Sequence, residues 1–292
     1  MNKFLERLNS GEVLVADGAT GTNLQKAGLA GGMHTEDWVF DHPDKILDLE
    51  KAFVAAGSDI ILTCTFGGTR PRMKGAKHSD KVMEINKRAV ELAREAASAR
   101  DDVLVAGSIG PIGQLLKPYG PIGIDDAKAA FTEQARALAE GGVDLIVIET
   151  HFAFEEATAA FEGARAVTDL PIVVSFGYDR GTRTMMGAKP ADVVRKYKDM
   201  GAALVGANCG TTLDNMEAVV KEYADTEAGF PLWIKPNAGL PRLEGAETIY
   251  DVAPEQMAEY AMKYAALGAR VVGGCCGSTP EHVAAIVKAI KK

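Results

Sequence analysis

The stretch VDLIVIET (143–150), followed after a helix-length segment by PIVVSFG (171–177), decides the fold class of this chain of 292 residues. Both runs are almost continuously apolar and rich in β-branched residues, as is typical of strands buried on both faces of a parallel sheet. The segment between them, 155–167, is amphipathic and long enough for the crossover that parallel strands need. The pattern predicts a β–α–β unit.

The same unit repeats in both directions along the chain. Further apolar runs lie at 12–17, 58–65, 102–108, 202–210, 231–237 and 269–277. The other amphipathic segments of helical length lie at 43–56, 79–99, 125–140, 190–200, 212–225, 254–267 and 280–291. Glycines typical of a helix C-terminus precede four of the runs, at Gly57, Gly142, Gly201 and Gly268. Eight strands alternating with eight helices predict the α/β class and a single (β/α)8 TIM barrel over residues 1–292.

A doubly wound open sheet is the alternative for any alternation of strands and helices. That fold usually carries GxGxxG after its first strand and has fewer repeats. The first run here is followed by DGATGT (17–22), which contains glycine but lacks that spacing. The barrel therefore explains the pattern better.

Composition and charge exclude several classes of function. The chain is 47% hydrophobic and 25% charged, with a formal net charge of -8. Such a surface repels nucleic acid and anionic membranes. No apolar run approaches the roughly 18 residues of a membrane span, and MNKFLERLNSGE (1–12) does not resemble a secretory signal. We expect a cytoplasmic protein without nucleic-acid or membrane partners; its oligomeric state stays open.

Polar and reactive residues end six of the predicted strands. They are Asp17, the segment Thr63–Thr65, Glu149, Asn208 with Cys209, Asn237, and Cys275 with Cys276. In a β/α barrel the active site is built at the carboxyl ends of the strands and from the loops that follow. We therefore expect these side chains to share one rim of the barrel.

Three of the four cysteines, Cys209, Cys275 and Cys276, meet at that rim. Three thiolates with an open fourth position describe a catalytic zinc site, because structural sites fill all four positions with protein ligands. The glycines of GGCCG (273–277) leave the backbone free to turn both sulfurs toward a metal. The alternative is that these are ordinary buried cysteines. Cys64 fits that alternative, since strand alternation turns it away from its two threonine neighbours.

A zinc site of this kind favours thiol chemistry. A free thiol has a pKa of about 8.5, so only a small share is ionised at neutral pH. Coordination deprotonates the thiol, which could then attack an electrophilic methyl group.

Two carboxylates, Asp17 and Glu149, are predicted at the same rim. They could form the acid–base pair of a hydrolase. They could instead hold the ammonium group of an amino acid, which agrees better with a site rich in thiolates. Asp17 could also merely form the turn before Gly18, and His151 could be an ordinary loop residue.

Seven motifs, in chain order, resemble the zinc-dependent homocysteine S-methyltransferase family. They are DGATGT (17–22), TCTF (63–66), AGSIGP (106–111), DLIVIET (144–150), GANCG (206–210), KPNAGLP (235–241) and GGCCGSTPEH (273–282). GANCG and GGCCG are the specific pair. PNAGLP is most similar to the homocysteine-binding module of cobalamin-dependent methionine synthase. Betaine–homocysteine and S-methylmethionine–homocysteine methyltransferases are the next most similar.

The resemblance implies a role for each matching residue. The zinc ligands would be Cys209, Cys275 and Cys276, with the homocysteine sulfur as fourth ligand. Asp17 and Glu149 match positions that hold the substrate amino group. The substrate carboxylate would bind at the loop formed by Gly18, Ala19 and Thr20, together with Thr65. Asn208 and Asn237 match polar positions near the metal.

The implied reaction is methyl transfer to homocysteine, giving methionine. The donor stays open, because no cobalamin-binding module follows the barrel. It would be a small molecule such as betaine or S-methylmethionine, or a methyl-corrinoid carried by a separate protein. Two departures concern the loops: TCTF replaces the usual TNTF, and Met185 and Met186 are unfamiliar in the family's fifth loop. Such methionines are usually core residues or a pliable contact surface, and they could instead line the donor's approach.

Two further hypotheses keep the metal and change the function. In one, the chain is the methyltransferase subunit of a corrinoid-linked demethylation system with a different thiol as acceptor. In the other, the three thiolates form a non-catalytic zinc store or redox sensor.

Overall fold

Every apolar run of the sequence contains a strand of the computed structural model, which describes residues 2–245 and 247–291. The strands are β1 (Leu14–Val15), β2 (Ile60–Leu62), β3 (Leu104–Ile109), β4 (Leu145–His151), β5 (Ile172–Phe176), β6 (Leu204–Cys209), β7 (Leu232–Pro236), β8 (Arg242–Glu244), β9 (Glu247–Ile249) and β10 (Ala269–Val272). Eight of them are parallel and form one sheet. The exceptions, β8 and β9, form an antiparallel hairpin that the sequence patterns did not predict.

The sheet closes on itself. Its strands follow the order β1, β10, β7, β6, β5, β4, β3, β2. Strand β1 pairs with β10 through Leu14 and Val271, and a parallel bridge between Ala16 and Ile60 joins β1 to β2. The prediction of a (β/α)8 barrel is therefore confirmed.

Helices follow the barrel strands and cover the sheet. They are α1 (Lys3–Asn9), α2 (Gly21–Lys26), α3 (Trp38–Asp41), α4 (Pro43–Ala55), α5 (Val82–Ala97), α6 (Ile124–Gly141), α7 (Phe154–Arg165), α8 (Pro190–Asp199), α9 (Leu213–Thr226), α10 (Pro254–Ala266) and α11 (Pro280–Ile290). The eight predicted helices are α4 to α11, and each begins and ends within three residues of its predicted range. The glycines expected at helix ends have positive φ, for example 94° at Gly142. No helix in the described part of the chain is long and apolar enough to cross a membrane.

Helix α1 closes the amino-terminal end of the barrel. Phe4 is fully buried and packs with the side chains that point into the barrel. Asn2 caps this helix, since its side-chain oxygen accepts the backbone N–H groups of Phe4 and Leu5 at 3.0 and 3.2 Å. The interior above Phe4 is apolar and contains Leu14, Ala16, Ile60, Leu62, Leu104, Ala106, Leu145, Val147, Val173, Leu204, Trp233 and Val271.

The interior becomes polar at the carboxyl ends of the strands. Successive residues of a strand point to opposite faces, so a residue two positions after an inward-facing one also points inward. This alternation places a polar layer above the apolar one, made of Ser108, Glu149, Ser175, Asn208 and Lys235, and all five are buried. The fold thus carries buried polar groups at one end of the barrel, where they need partners.

Candidate metal and substrate site

Three sulfur atoms meet above the polar layer. Cys209 ends β6, and Cys275 and Cys276 follow β10. The Sγ atoms of Cys209 and Cys275 are 2.9 Å apart, and all three sulfurs lie within 4.8 Å of one another. The structure thus brings together the three cysteines singled out in the sequence. Cys64 is not part of this cluster: its thiol lies 3.8 Å from the Thr35 carbonyl oxygen and among apolar side chains, although the residue also lines the cavity beside the sulfurs.

The backbone is strained where β4 and β6 end. Among the described residues, only Thr150 and Cys209 combine a side chain with positive φ, at 62° and 59°. Such conformations cost free energy and cluster at functional sites. Asn208 links the two positions: its Oδ1 accepts the Thr150 N–H at 2.9 Å, and its Nδ2 donates to Thr150 Oγ1 at 2.6 Å.

The segment that carries Cys275 and Cys276 is clamped between two strands. The N–H of Gly274 donates to the Asp17 carbonyl oxygen at 3.0 Å, and that of Cys275 to the Pro236 carbonyl oxygen at 2.7 Å. Gly277 has a φ of 81°, a left-handed conformation that favours glycine. This agrees with the backbone freedom expected of the glycines that flank the two cysteines. Gly274 serves a different purpose, because a Cβ there would collide with the Ser278 side chain. Close packing, as well as backbone freedom, explains the glycines.

The crowded sulfurs do not ionise equally. Hydrogen bonds from Cys209 and Cys275 lower the pKa of Cys276 to about 3. Hydrogen bonds to Cys275 and Cys276, together with burial, raise the pKa of Cys209 above its ordinary value. Without a positive charge nearby, the cluster therefore does not readily lose all three protons.

The surroundings of the sulfurs fit a metal ion. The Nδ2 of Asn208 lies 3.5 Å from the Cys209 sulfur and 3.9 Å from the Cys275 sulfur, where it can orient them. The Oδ1 of Asn237 is buried and has no hydrogen-bond partner in the described part of the chain, although its Nδ2 donates to the Gly210 carbonyl oxygen. The three thiols, within 4.8 Å of one another, form a cation-binding donor set.

A cavity of about 330 Å³ lies beside the sulfurs. Seven of the candidate site residues line it: Gly18, Ala19, Thr20, Glu149, Cys209, Cys275 and Cys276. The other four candidates are not among the lining residues: Asp17, Thr65, Asn208 and Asn237. Thr65 illustrates the second group, since its hydroxyl is buried and donates to the Ser108 carbonyl oxygen at 2.7 Å.

Asp17 is already paired within the protein. Its Oδ1 accepts a hydrogen bond from Lys235 Nζ at 2.5 Å, and its Oδ2 accepts the Leu62 N–H at 2.7 Å. Asp17 and Lys235 are 2% and 3% exposed, so this is a buried ion pair. Burial by itself lowers the pKa of Lys235, but Asp17 and Glu149 outweigh this and raise it, so the lysine is a cation.

Glu149 faces the cavity with one oxygen in use. Its Oε1 accepts a hydrogen bond from Ser108 Oγ at 2.6 Å. Burial is the main cause that raises the pKa of Glu149 to about 7, while the positive charge of Lys235 opposes the rise. This carboxylate is positioned to bind a cation.

The structure also places the residues whose roles were open. His151 is fully buried near the Phe131 ring, and neither ring nitrogen has a hydrogen-bond partner among the described residues. Met185 and Met186 are 51% and 53% exposed in the loop between β5 and α8, so they are not core residues.

Lys235 is the site residue that the sequence analysis missed. It lies in PLWIKPN, where a charged residue interrupts an apolar run. The same observation drew attention to Glu149 in VDLIVIET. Alternation from the inward-facing Trp233 would have placed Lys235 inside the barrel.

Comparisons with known proteins agree with the fold and with the family that the motifs resemble. Methionine synthase from Mycobacterium leprae is 28% identical over 296 residues, which cover 96% of this chain and 24% of that protein. Methionine synthase from Mycobacterium tuberculosis is 28% identical over 297 residues, covering 96% and 25%. The chain thus spans about a quarter of the length of these relatives. The metallated form of the homocysteine methyltransferase MmuM from Escherichia coli superposes with a TM-score of 0.84 at 25% identity, covering all of both chains.

A family model described as homocysteine S-methyltransferase matches residues 14–290, which include every barrel strand and the three clustered cysteines. The resemblance of the motifs is thereby confirmed, and the chain belongs to the homocysteine S-methyltransferase family.

Proposed function

We propose that this chain transfers a methyl group to the thiol of homocysteine, at a zinc ion held by Cys209, Cys275 and Cys276. The observation that carries the proposal is the meeting of three sulfurs within 4.8 Å beside a cavity of about 330 Å³. A zinc store would not need that space. A methyl acceptor of amino-acid size does, and Glu149 and Lys235, which both line the cavity, can recognise one.

Zinc is the metal that suits the donor set. Soft thiolates select zinc over magnesium or calcium, which prefer oxygen ligands. When bound, the ion would supply the positive charge that keeps both the cysteines and a substrate thiol ionised at neutral pH. Asn208 would orient two of the sulfurs through its amide. Free cysteines of this kind agree with a reducing compartment such as the cytoplasm.

The residues of the cavity would orient the acceptor. Glu149 has an oxygen available for the ammonium group of homocysteine, because only Oε1 is occupied by Ser108. The loop of Gly18, Ala19 and Thr20 also lines the cavity, and the backbone N–H groups of Gly18 and Thr20 could receive a carboxylate, whereas that of Ala19 donates to Ser278. Asp17 would act indirectly, because both of its oxygens are engaged.

Methyl transfer then needs positioning more than acid–base catalysis. The substrate sulfur, already deprotonated, uses its lone pair to form the new sulfur–methyl bond. The bond between the methyl group and the donor breaks, and its electron pair leaves with the donor. Holding the two reactants in line contributes much of the rate in such reactions.

We propose a methyl-corrinoid on a separate protein as the donor. Large apolar side chains are exposed on loops at the same end of the barrel as the cavity, notably Met185 and Met186 after β5 and Leu240 and Leu243 after β7. Exposed apolar groups around a cavity are typical of a surface that a partner covers. A small donor such as betaine or S-methylmethionine would not use them.

A donor screen tests the proposed function. Zinc-loaded protein and homocysteine are incubated with methylcobalamin, betaine, S-methylmethionine or S-adenosylmethionine, and methionine is measured. We expect methionine from methylcobalamin and little from the small donors. Methionine formed with one of the small donors but not with methylcobalamin would contradict the proposal of a corrinoid donor. Turnover with another thiol but not homocysteine would favour the corrinoid-linked demethylation system. Metal binding that no thiol perturbs would favour a zinc store.

A further inference from the structure

A second cavity adjoins the one beside the sulfurs. It has a volume of about 430 Å³, and Thr35 and Phe66 line both cavities. Its other walls come from the segments that follow β1, β2 and β3, and none of the candidate site residues lines it. A molecule bound there would therefore lie beside the methyl acceptor without taking its place.

Arg72 is held in the wall of this second cavity with most of its hydrogen-bond donors unused. Its guanidinium carbon lies 5.1 Å from the centre of the Phe66 ring. Its Nη1 donates to the Pro111 carbonyl oxygen at 3.1 Å, which is its one hydrogen bond to the described residues. A guanidinium has five N–H donors and stays charged at neutral pH. The ring and the carbonyl thus fix Arg72 and leave a cation that is able to bind a further group.

The carboxylates near Arg72 are occupied by other groups. Glu36 also lines the second cavity and is 3% exposed, but its Oε1 accepts the Gly67 N–H at 2.5 Å and its Oε2 accepts the Thr35 hydroxyl at 3.1 Å. Glu156 Oε1 accepts a backbone N–H at 2.6 Å, and burial raises the pKa of Glu156 although the charge of Arg72 opposes the rise. In the described part of the chain, Arg72 forms an ion pair with neither of them. Its charge therefore has no direct partner within the protein.

The rest of the wall is richer in donors than in acceptors. Lys74 is an exposed second cation, and the ring of His34 and the amide of Gln114 lie along the same cavity. Among the described residues that line it, Glu36 is the one acidic side chain, and both of its oxygens are engaged. Two parallel N–H groups of a guanidinium can bind two oxygens of a carboxylate or phosphate. The second cavity therefore suits a ligand that carries such a group.

We propose that the second cavity binds an oxyanion, a carboxylate or phosphate group of the methyl donor, with Arg72 as its principal ligand and Lys74 as a supporting charge. The walls shared with the sulfur cavity would let the rest of the donor reach the acceptor thiol. The oxyanion site does not depend on the proposed function, and only its assignment to the methyl donor rests on that function. The site and its occupant can therefore be tested separately.

Binding of inorganic phosphate tests the site. Phosphorus NMR would measure phosphate affinity in zinc-loaded wild type, Arg72→Gln, Lys74→Gln and Arg70→Gln, with acetate added as a competing carboxylate. We expect Arg72→Gln to weaken phosphate binding by roughly 10- to 100-fold, as for a lost charged hydrogen bond, and the exposed Lys74→Gln to weaken it by less. Arg70→Gln is the matched control, because Arg70 lies in the same loop but pairs with Glu133 and does not line the cavity.

The controls separate the site from other places where phosphate could bind. Phosphate held by the zinc ion would bind equally well to all four proteins. Unchanged affinity in both Arg72→Gln and Lys74→Gln, or an equal loss in Arg70→Gln, would overturn the oxyanion site. Because Lys74 is exposed, its variant keeps the test valid even if Arg72→Gln proves unstable in thermal unfolding.

Methyl transfer tests the occupant with pairs of donors that differ in the oxyanion. Methylcobalamin carries a phosphate that methylcobinamide lacks, and S-methylmethionine carries a carboxylate that trimethylsulfonium lacks. For the donor that carries the oxyanion, Arg72→Gln should raise KM by about 10-fold and change kcat little, while its partner donor should be unaffected. Equal KM values in wild type and Arg72→Gln for every active donor would overturn the assignment to the donor. Absence of methionine from all donors would overturn the proposed function and with it that assignment, whereas the phosphate titration decides the site.

Discussion

The two ends of the barrel both contain networks of paired charges, but they use them differently. At the closed end, Arg7 Nη2 lies 2.6 Å from Asp59 and 2.7 Å from Glu12. Lys291 Nζ lies 2.6 Å from the same Glu12 and 3.1 Å from Asp59. Each of these four groups therefore has two partners of opposite charge. At the open end, Lys235 has one such partner within hydrogen-bonding distance, Asp17.

This difference separates stability from function. Charges whose partners are all supplied by the chain stabilise the fold and have nothing left to offer a ligand. Lys235 and Glu149 keep unused hydrogen-bonding capacity in a cavity, which is what a binding site requires. In β/α barrels the carboxyl ends of the strands carry function and the amino ends carry stability. Variants at the two ends should therefore change different measured quantities.

The largest effect is expected from the sulfurs. Cys209→Ala, Cys275→Ala or Cys276→Ala should reduce the metal content from about one ion per chain to almost none, because two thiolates retain a zinc ion poorly. Methyl transfer should disappear with the metal. Metal content can be measured by elemental analysis of the purified proteins.

Cys64→Ala is the matched control for the three cysteine variants. Its thiol is more deeply buried than the other three and contacts the Thr35 carbonyl oxygen rather than the sulfur cluster. We expect wild-type metal content in this variant. Loss of metal in Cys64→Ala, or retention of metal in any of the other three variants, would contradict the assignment of the metal to the sulfur cluster at the open end.

The next effect belongs to the closed end. Asp59→Asn replaces a carboxylate with three partners. It accepts hydrogen bonds from Arg7 at 2.6 Å and from the Val15 N–H at 2.7 Å, and it forms an ion pair with Lys291 at 3.1 Å. The free energy of unfolding in urea should fall by about 2–3 kcal/mol, since Arg7 and Lys291 keep Glu12 as a partner. Homocysteine affinity should stay within about twofold of wild type, because the cavity is at the other end. A large change in affinity with unchanged stability would contradict the division between the ends.

Much of the fold could be predicted because the sequence repeats one pattern eight times. Apolar runs and glycine-terminated helices located every barrel strand and helices α4 to α11. The shortest helices and strands were not predicted. Helix α1 has seven residues, too few to show a period, and its burial depends on Phe4 entering a barrel that forms elsewhere in the chain. In the β8–β9 hairpin, all three residues of β8 are exposed, and each strand has only three residues, too few to show an alternating pattern.

For the site, the sequence could predict which residues lie at the end of each strand, but not which of them contact one another. The three cysteines were found because each follows an apolar run, and the barrel brings such positions together. Hydrogen bonds and ion pairs between side chains of different strands could not be predicted. Asp17 was expected to hold the substrate, but the structure pairs it with Lys235, which lies two strands away in the closed sheet. That pairing depends on the order of strands around the barrel, which no local pattern contains.

The smallest effect is expected from Glu149 at the open end. Glu149→Gln should weaken homocysteine binding by roughly 10- to 100-fold through loss of a charged hydrogen bond, with metal content unchanged. The loss should depend on pH, because burial raises the pKa of Glu149 to about 7. Below that pH the wild-type carboxyl is protonated and cannot pair with an ammonium group. Above it the carboxylate is ionised and its contribution is complete.

The quantity to measure is the ratio of wild-type to Glu149→Gln affinity, by calorimetry on both sides of pH 7. The substrate thiol also ionises in this range, but its ionisation affects both proteins and cancels in the ratio. The ratio should approach one as the pH falls below about 7 and rise as the pH increases through that value, for as long as the substrate's ammonium group keeps its proton. A ratio independent of pH would mean that Glu149 does not contribute its charge to the ligand. Glu149 would then resemble the charges of the closed end, whose partners all belong to the chain itself.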